Sequence, residues 1–235
     1  MSIQNVAALS PEEFTKSRRN GIGASDSAVL LGLMAMYNKD EHSLRISKLA
    51  EGILEEEETI SKKESVRKGR DLEELILKKF GGLWGCDTPY KPINSYALTD
   101  LPFLTVNFDG VISENNFDIP VECKFVTPRG DKYYSRPRAI LREFPTDTKI
   151  ERTPIIYTQG NITDYCIAKA KDAGVPSYYY VQVQHQMMML GAPYGYLAAL
   201  HDKNWELCIY KMPRDDEVIN QIKVLGYKFW NTLAK

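Results

Sequence analysis

Asp109, Glu122 and Lys124 are the residues whose types and spacing could do chemistry together. Asp109 closes the apolar run 101–108 and is followed by Gly110; Glu122 and Lys124 stand two apart in a second run, 119–126. The turn-rich stretch Glu114-Asn115-Asn116-Phe117-Asp118 separates the runs, so the whole reads as a β-hairpin. Strand side chains alternate, which puts Glu122 and Lys124 on one face and turns Val121, Cys123 and Phe125 towards a core. Carboxylates hold hard cations such as Mg²⁺, and a lysine beside them can orient or polarise an attacking water. Two acids and a lysine in this arrangement predict a metal-dependent site for phosphodiester cleavage.

Three further elements could complete such a site. The first is a helix over about Glu64–Phe80, ending at Gly81-Gly82. At about 100° per residue, Glu73 falls within the flank formed by Leu72, Ile76, Leu77 and Phe80, whereas Glu74 falls on the polar face. A glutamate aimed inward needs a partner, either a metal centre or a neighbouring Arg or Lys. The second is the stretch 178–190, apolar nearly all round and so a buried helix, with Gln182 and Gln186 on one face. Their amides either help position a water and a phosphate or satisfy backbone groups in the core. The third is the turn from Arg18 to Asp26. Its glycines precede a helix start, where Arg18 could clamp a phosphate and Ser25 could donate to it. The plainer reading there is that Ser25 or Asp26 caps the helix.

The rest of the chain supplies a frame. A helix starts at Ser10-Pro11-Glu12-Glu13 and runs to about Arg19. Others cover Ala24–Leu33, about 42–51, and 162–173 within the long Pro-containing stretch 127–177. Strands follow near 194–200 and 206–212, and a closing helix carries Val218, Ile222, Leu225, Phe229 and Leu233 at helical spacing. This order predicts one α/β domain over 1–235 with a central mixed sheet flanked by helices, and with 127–177 as an extended insertion.

Composition narrows the class. With 43% hydrophobic and 26% charged residues the chain has the balance of a soluble globular protein. No apolar stretch is long enough to span a bilayer, and the first residues lack a signal-peptide pattern, so a cytoplasmic protein is expected. The scattered cysteines 86, 123, 166 and 208 and the three histidines show no zinc-ligand spacing. A net charge of −1 argues against simple electrostatic binding of nucleic acid. Basic clusters nonetheless occur at 16–19, at 62–70, and across Arg129, Lys132, Arg136, Arg138 and Arg142. They are either solvated faces or the wall of a locally positive channel.

Taken in order, five blocks resemble the YqaJ-like viral recombinase branch of the PD-(D/E)XK nucleases, the lambda-exonuclease type. They are Arg18 to Ser25-Asp26, Lys68-Gly69-Arg70-Asp71-Leu72-Glu73, Asn107-Phe108-Asp109-Gly110, Val121-Glu122-Cys123-Lys124 and Gln182-Val183-Gln184. The resemblance implies a restriction-endonuclease-like fold. It makes Asp109 and Glu122 the principal Mg²⁺ ligands, Mn²⁺ being able to substitute, with the backbone carbonyl of Cys123 as an addition. Lys124 would activate or orient the water, Glu73 would complete the metal and water network, and Gln182 would help place the water. Arg18 and Ser25 would hold a 5′-phosphate, with Arg129 and Arg136 as further DNA contacts.

The implied activity is 5′→3′ digestion of linear double-stranded DNA ends, in phage-type recombination by single-strand annealing. The implied setting is a phage or prophage gene expressed in a bacterial host. The implied partners are DNA ends, further copies in a trimeric ring and a single-strand annealing protein, with no membrane. The segment between Lys124 and Gln182 is longer than in the lambda-type enzymes. Its interleaved Arg129, Lys132, Tyr133, Tyr134, Arg136 and Arg138 could stack on unpaired bases and grip phosphates, or contact a neighbouring subunit. The alternatives are an endonuclease of the same fold, an inactive DNA-binding or inhibitor module, and a metabolic enzyme whose carboxylates bind another phosphate.

Overall fold

The computed structural model describes residues 3–6, 18–50, 64–92, 94–135 and 159–233. Its elements are β1 (Ile3–Val6), α1 (Ala24–Leu30), α2 (Glu41–Leu49), α3 (Glu64–Trp84), β2 (Ser95–Leu98), β3 (Thr105–Val106), β4 (Gly110–Glu114), β5 (Phe117–Val126), α4 (Gln159–Ala173), α5 (Ser177–Leu190), β6 (Tyr194–His201), β7 (Glu206–Pro213) and α6 (Asp216–Leu233). Among the described residues no helix is long and apolar enough to cross a membrane. Of the helix expected from Ser10 to about Arg19, only its last two residues lie among them, in the 3₁₀ turn Arg18–Asn20.

Glu122 and Lys124 do lie on a hairpin, β4–β5, but its first strand is Gly110–Glu114, after Asp109, and the run 101–108 expected to form it holds only β3, in another sheet. The hairpin starts a four-stranded sheet of order β4-β5-β6-β7. The sheet is mixed: β5 and β6 run parallel, and the other two pairs are antiparallel. Parallel neighbours need a long crossover, and α4 and α5 lie within it. β5 is central, and its residues from Ile119 to Cys123 are buried. That explains why its sequence reads as a nearly continuous apolar run interrupted only where it carries chemistry.

Helices cover both faces. Tyr196 of β6 is the register partner of Val121 and shares its face. The rings of Phe80 and Trp84, on α3, lie 5.2 and 5.0 Å from it. So α3 covers the Val121–Cys123 face, and α5 covers the Glu122–Lys124 face. Buried residues from both sides join one core, including Ile76, Leu77, Phe80, Ile119, Val121, Val183, Met187 and Leu197.

Two further expectations are corrected. α3 does not stop at Gly81-Gly82 but continues to Trp84. Gly85 takes the left-handed conformation (φ +73°) that ends helices, and the Gly81 carbonyl accepts from the Gly85 and Cys86 N–H groups at 2.9 and 3.1 Å. The sheet is also accompanied by a second one, of order β1-β2-β3 and antiparallel throughout. Its strands have two to four residues, too few to show a periodicity. They pair over long separations, such as Ile3 with Leu98.

Candidate active site

The end of the hairpin fixes Asp109. β4 begins at Gly110, opposite Val121 of β5, so Asp109 falls just beyond the ladder, level with Glu122. Past that point β5 has lost its β4 partner, and the Cys123 N–H donates to Asp109 Oδ2 at 2.9 Å. Within a strand the N–H and C=O of one residue face the same edge, so the Cys123 carbonyl is on the Asp109 side. The Cys123 side chain points into the core, and burial pushes its thiol well above the ordinary range.

Glu122 is 1% exposed, and three donors meet its carboxylate. Lys124 Nζ forms an ion pair with Oε1. Gln182 Nε2 donates to Oε1 and Gln186 Nε2 to Oε2, each at 2.5 Å. Four residues on α5 place the two amides on one helix face, one above the other. The bland alternative for the pair, satisfying backbone groups in the core, is therefore not what this structure shows. Burial, and then the Asp109 charge, hold Glu122 above the ordinary carboxylate range, against the pull of Lys124. Burial opposes the charge on Lys124, but Glu122 and Asp109 outweigh it and raise the lysine above its ordinary value. The ammonium also lies 5.0 Å from the centre of the Tyr179 ring.

Gln186 is the member of this cluster whose partner could not be read from sequence. Helical spacing gave its face but not what it met. It is fully buried, and among the described residues its Oε1 has no partner. A group that orients an acid in this way supports it as outer-sphere partners support metal ligands. If the two acids hold Mg²⁺ for phosphodiester cleavage, as the sequence predicts, Gln186→Leu should lower cleavage about 10–100-fold and raise the Mg²⁺ concentration giving half-maximal rate, with partial rescue by Gln186→Asn. An unchanged Mg²⁺ titration, with only a lower melting temperature, would reduce Gln186 to packing.

Glu73 faces the protein as expected and is 20% exposed on its side chain. Its partner is Lys91, in an ion pair, which is the plainer of the two sequence readings. Lys91 follows Tyr90, whose N–H and C=O both bond to Val111 of β4, at 3.0 and 2.8 Å. That pairing sets Lys91 beside the acids. Burial opposes its charge, but Glu73 and then Asp109 hold it above the ordinary lysine value. Nothing in the sequence marked Lys91, because the loop around it has no periodicity to read.

Among the described residues no three His, Cys, Asp or Glu side chains converge as a ready metal cluster. The topology gives the reason. Glu73 comes from the helix over the Val121–Cys123 face, Glu122 lies on the opposite face, and Asp109 stands at the strand edge. The donor set still suits a hard divalent cation. The groups that could hold one are carboxylate oxygens, and two ammonium groups already supply positive charge to Glu122 and Glu73.

The remaining expected contacts are more scattered. Arg18 begins a short 3₁₀ turn, Arg18–Asn20. Ser25 is exposed in the first turn of α1. Asp26 closes the helix start, accepting from the Gly23 N–H at 2.9 Å and pairing with Lys48 at 2.7 Å. Gly21 reflects close packing: a Cβ there would lie 2.4 Å from the Thr105 side chain. Behind α1, the buried Ser27 hydroxyl meets His185 Nδ1 at 2.7 Å, and His185 Nε2 meets the Thr105 carbonyl at 3.0 Å. With both partners structural and both side chains buried, this is a brace between α1, α5 and β3. Arg129 is exposed on the turn after β5. Arg136 lies outside the described residues.

Residues 13–136, just over half of the chain, match the family described as the YqaJ-like viral recombinase domain. The uncharacterized protein YqaJ of Bacillus subtilis (strain 168) is 26% identical over 228 residues, covering 95% of this chain. The chain spans 56% of that relative's length. Two solved structures share the fold. LHK-Exo in complex with dAMP aligns with a TM-score of 0.60 at 16% identity, covering 95% of this chain and 92% of its own. The phage-related exonuclease from Haemophilus somnus 129PT aligns with a TM-score of 0.53 at 14% identity, covering 94% and 98%. The fold is thus the PD-(D/E)XK fold of the lambda-exonuclease type, as the sequence blocks predicted.

Proposed function

Because the chain belongs to the YqaJ-like viral recombinase family, we propose that it is a Mg²⁺-dependent deoxyribonuclease that digests linear double-stranded DNA from 5′ ends. The observation that carries this reading is the strand end where Asp109, Glu122 and Lys124 meet. A half-buried acid sits at an edge accessible to substrate, beside a buried acid fixed by an ammonium and two amides. Such rigidity is what positioning a phosphodiester demands. The solved structures of similar fold are named as exonucleases, which supports the same reaction class.

In this proposal Asp109 and Glu122 hold the cation, with the Cys123 carbonyl as an addition and Glu73 completing the network once Lys91 gives way. The bound ion supplies Lewis-acid stabilisation of the charge that develops on the phosphate. Lys124, charged as paired here, donates rather than accepts, so it orients the attacking water and offsets phosphate charge. Gln182 keeps Glu122 in place beside that water. Arg18 and Ser25 receive the 5′-phosphate, and Arg129 contacts the backbone, with little base readout. The proposed partners are DNA ends, further copies of the chain in a ring, and a single-strand annealing protein that takes the 3′ overhang.

A digestion time course tests the reaction and its polarity together. Linear duplex with 5′-phosphates should disappear in Mg²⁺, more slowly with 5′-hydroxyl ends, and not at all in a chelator. The same DNA as a covalently closed circle should persist. Cutting of the circle would make the chain an endonuclease and remove the end-binding roles of Arg18 and Ser25. Persistence of both substrates would refute the nuclease reading.

A further inference from the structure

We propose that a cluster of tyrosines beside Lys124 is a nucleobase-stacking subsite for an unpaired strand, that strand being DNA if the nuclease reading holds. Three separate segments build it. Tyr37 comes from the 3₁₀ turn Ala35–Tyr37 after α1, Tyr133 from the turn Asp131–Tyr133 after β5, and Tyr178 and Tyr179 from the first turn of α5. The Tyr37 and Tyr178 hydroxyls meet at 3.3 Å, and their rings lie edge to face at 5.8 Å. The Tyr178 and Tyr179 centroids are 4.4 Å apart. Tyr179 in turn carries the Lys124 ammonium 5.0 Å from its centre. The turn that carries Tyr133 is tied to the cluster through its neighbour Tyr134, whose ring centroid lies 6.5 Å from that of Tyr179. A continuous aromatic path therefore leads from the surface to the lysine of the candidate site.

The outer members of this path are open. Tyr37 is 44% exposed, Tyr133 42%, and the adjacent Met36 61%. Tyr134, the neighbour of Tyr133 in sequence, behaves differently: its ring packs on Tyr179, Tyr210 and His201. The core thus takes Tyr134 and leaves Tyr133 outside, so burial among the described residues does not account for the outer rings. Charge says what would cover them. Lys132 lies 4.9 Å over the Tyr133 ring, and Arg129 is exposed on the same loop. Cations interleaved with open aromatic faces suit a polyanion that also carries flat π-faces, which is a nucleic-acid strand. In a duplex those faces are hidden by stacking, so the strand must be unpaired here.

The test uses a single-stranded oligonucleotide carrying 2-aminopurine, bound in EDTA so that nothing is cut, alongside the same oligonucleotide with abasic sites. The full chain should quench 2-aminopurine fluorescence and bind the abasic strand more weakly. Tyr37→Ala and Tyr133→Ala should each weaken binding of the base-bearing strand about tenfold and relieve quenching, while Tyr37→Phe and Tyr133→Phe keep both. Equal binding of the abasic strand, or alanine variants that bind and quench as the parent does, would overturn the subsite. Because the readout needs no cleavage, its failure is separable. A chain that quenches but never cuts refutes the nuclease reading alone; one that cuts but never quenches refutes this proposal alone.

Discussion

Cleavage of linear duplex should fall roughly 10²–10⁴-fold in Lys124→Ala, and the variant should also be less stable. The first effect follows from where the ammonium sits, paired with the fixed acid Glu122 in the site where the proposed reaction would bring a phosphate. The second follows from Glu122. At 1% exposure it would lose the only cation among its three donors. Breaking a buried pair from one side costs about 3–5 kcal/mol. Here the loss should lie near or below the lower end, because the two glutamine amides stay and because Glu122 can take up a proton. Arginine should not rescue cleavage, since its planar fork cannot take the place of a compact ammonium. Pairing Lys124→Met with Glu122→Gln should recover much of the stability while leaving the chain inactive. Denaturant unfolding and single-turnover digestion of the three variants separate the effects. Parental turnover in Lys124→Ala would sink the assignment of this site.

What the sequence disclosed about this site depended on period. Strand alternation was enough to put Glu122 and Lys124 on one face, because β5 is regular and buried on both sides. Helical spacing was enough to turn Glu73 inward and to put Gln182 and Gln186 together. Period does not name partners across the fold. That the two amides converge on Glu122 depends on α5 crossing β5 at one depth, and that Glu73 meets Lys91 depends on Tyr90 pairing with Val111. Both are contacts between segments far apart in the chain. The small sheet was illegible for the same reason, its strands being too short to declare themselves. The turn at Gly21 shows the opposite limit. Its glycines are compatible with phosphate binding, yet Gly21 is also required by the Thr105 side chain against it. Local composition does not separate a functional glycine from a packed one.

The stability of the fold should fall by about 3 kcal/mol as pH drops from 6.5 to 4, through one residue, His185. Its ring is fully buried, and burial lowers its pKa to about 4, against a smaller opposing pull from the Thr105 carbonyl and Asp26. An unfolded chain takes up that proton near pH 6.5. Between the two values the unfolded state binds one proton more than the folded one, so acid favours unfolding. The contribution is complete above about pH 6.5 and gone once pH passes below about 4. Urea unfolding at pH 7, 6, 5 and 4 should show this slope in the parent and not in His185→Gln. The difference between the two proteins cancels the carboxylates, which titrate in both. The same brace joins α1, which carries Ser25, to α5, where His185 adjoins Gln186. Acid should therefore loosen the placing of Gln186 and of Ser25, the proposed 5′-phosphate contact, before the whole chain unfolds. Equal pH slopes in parent and variant would show that the His185 brace does not couple protonation to folding.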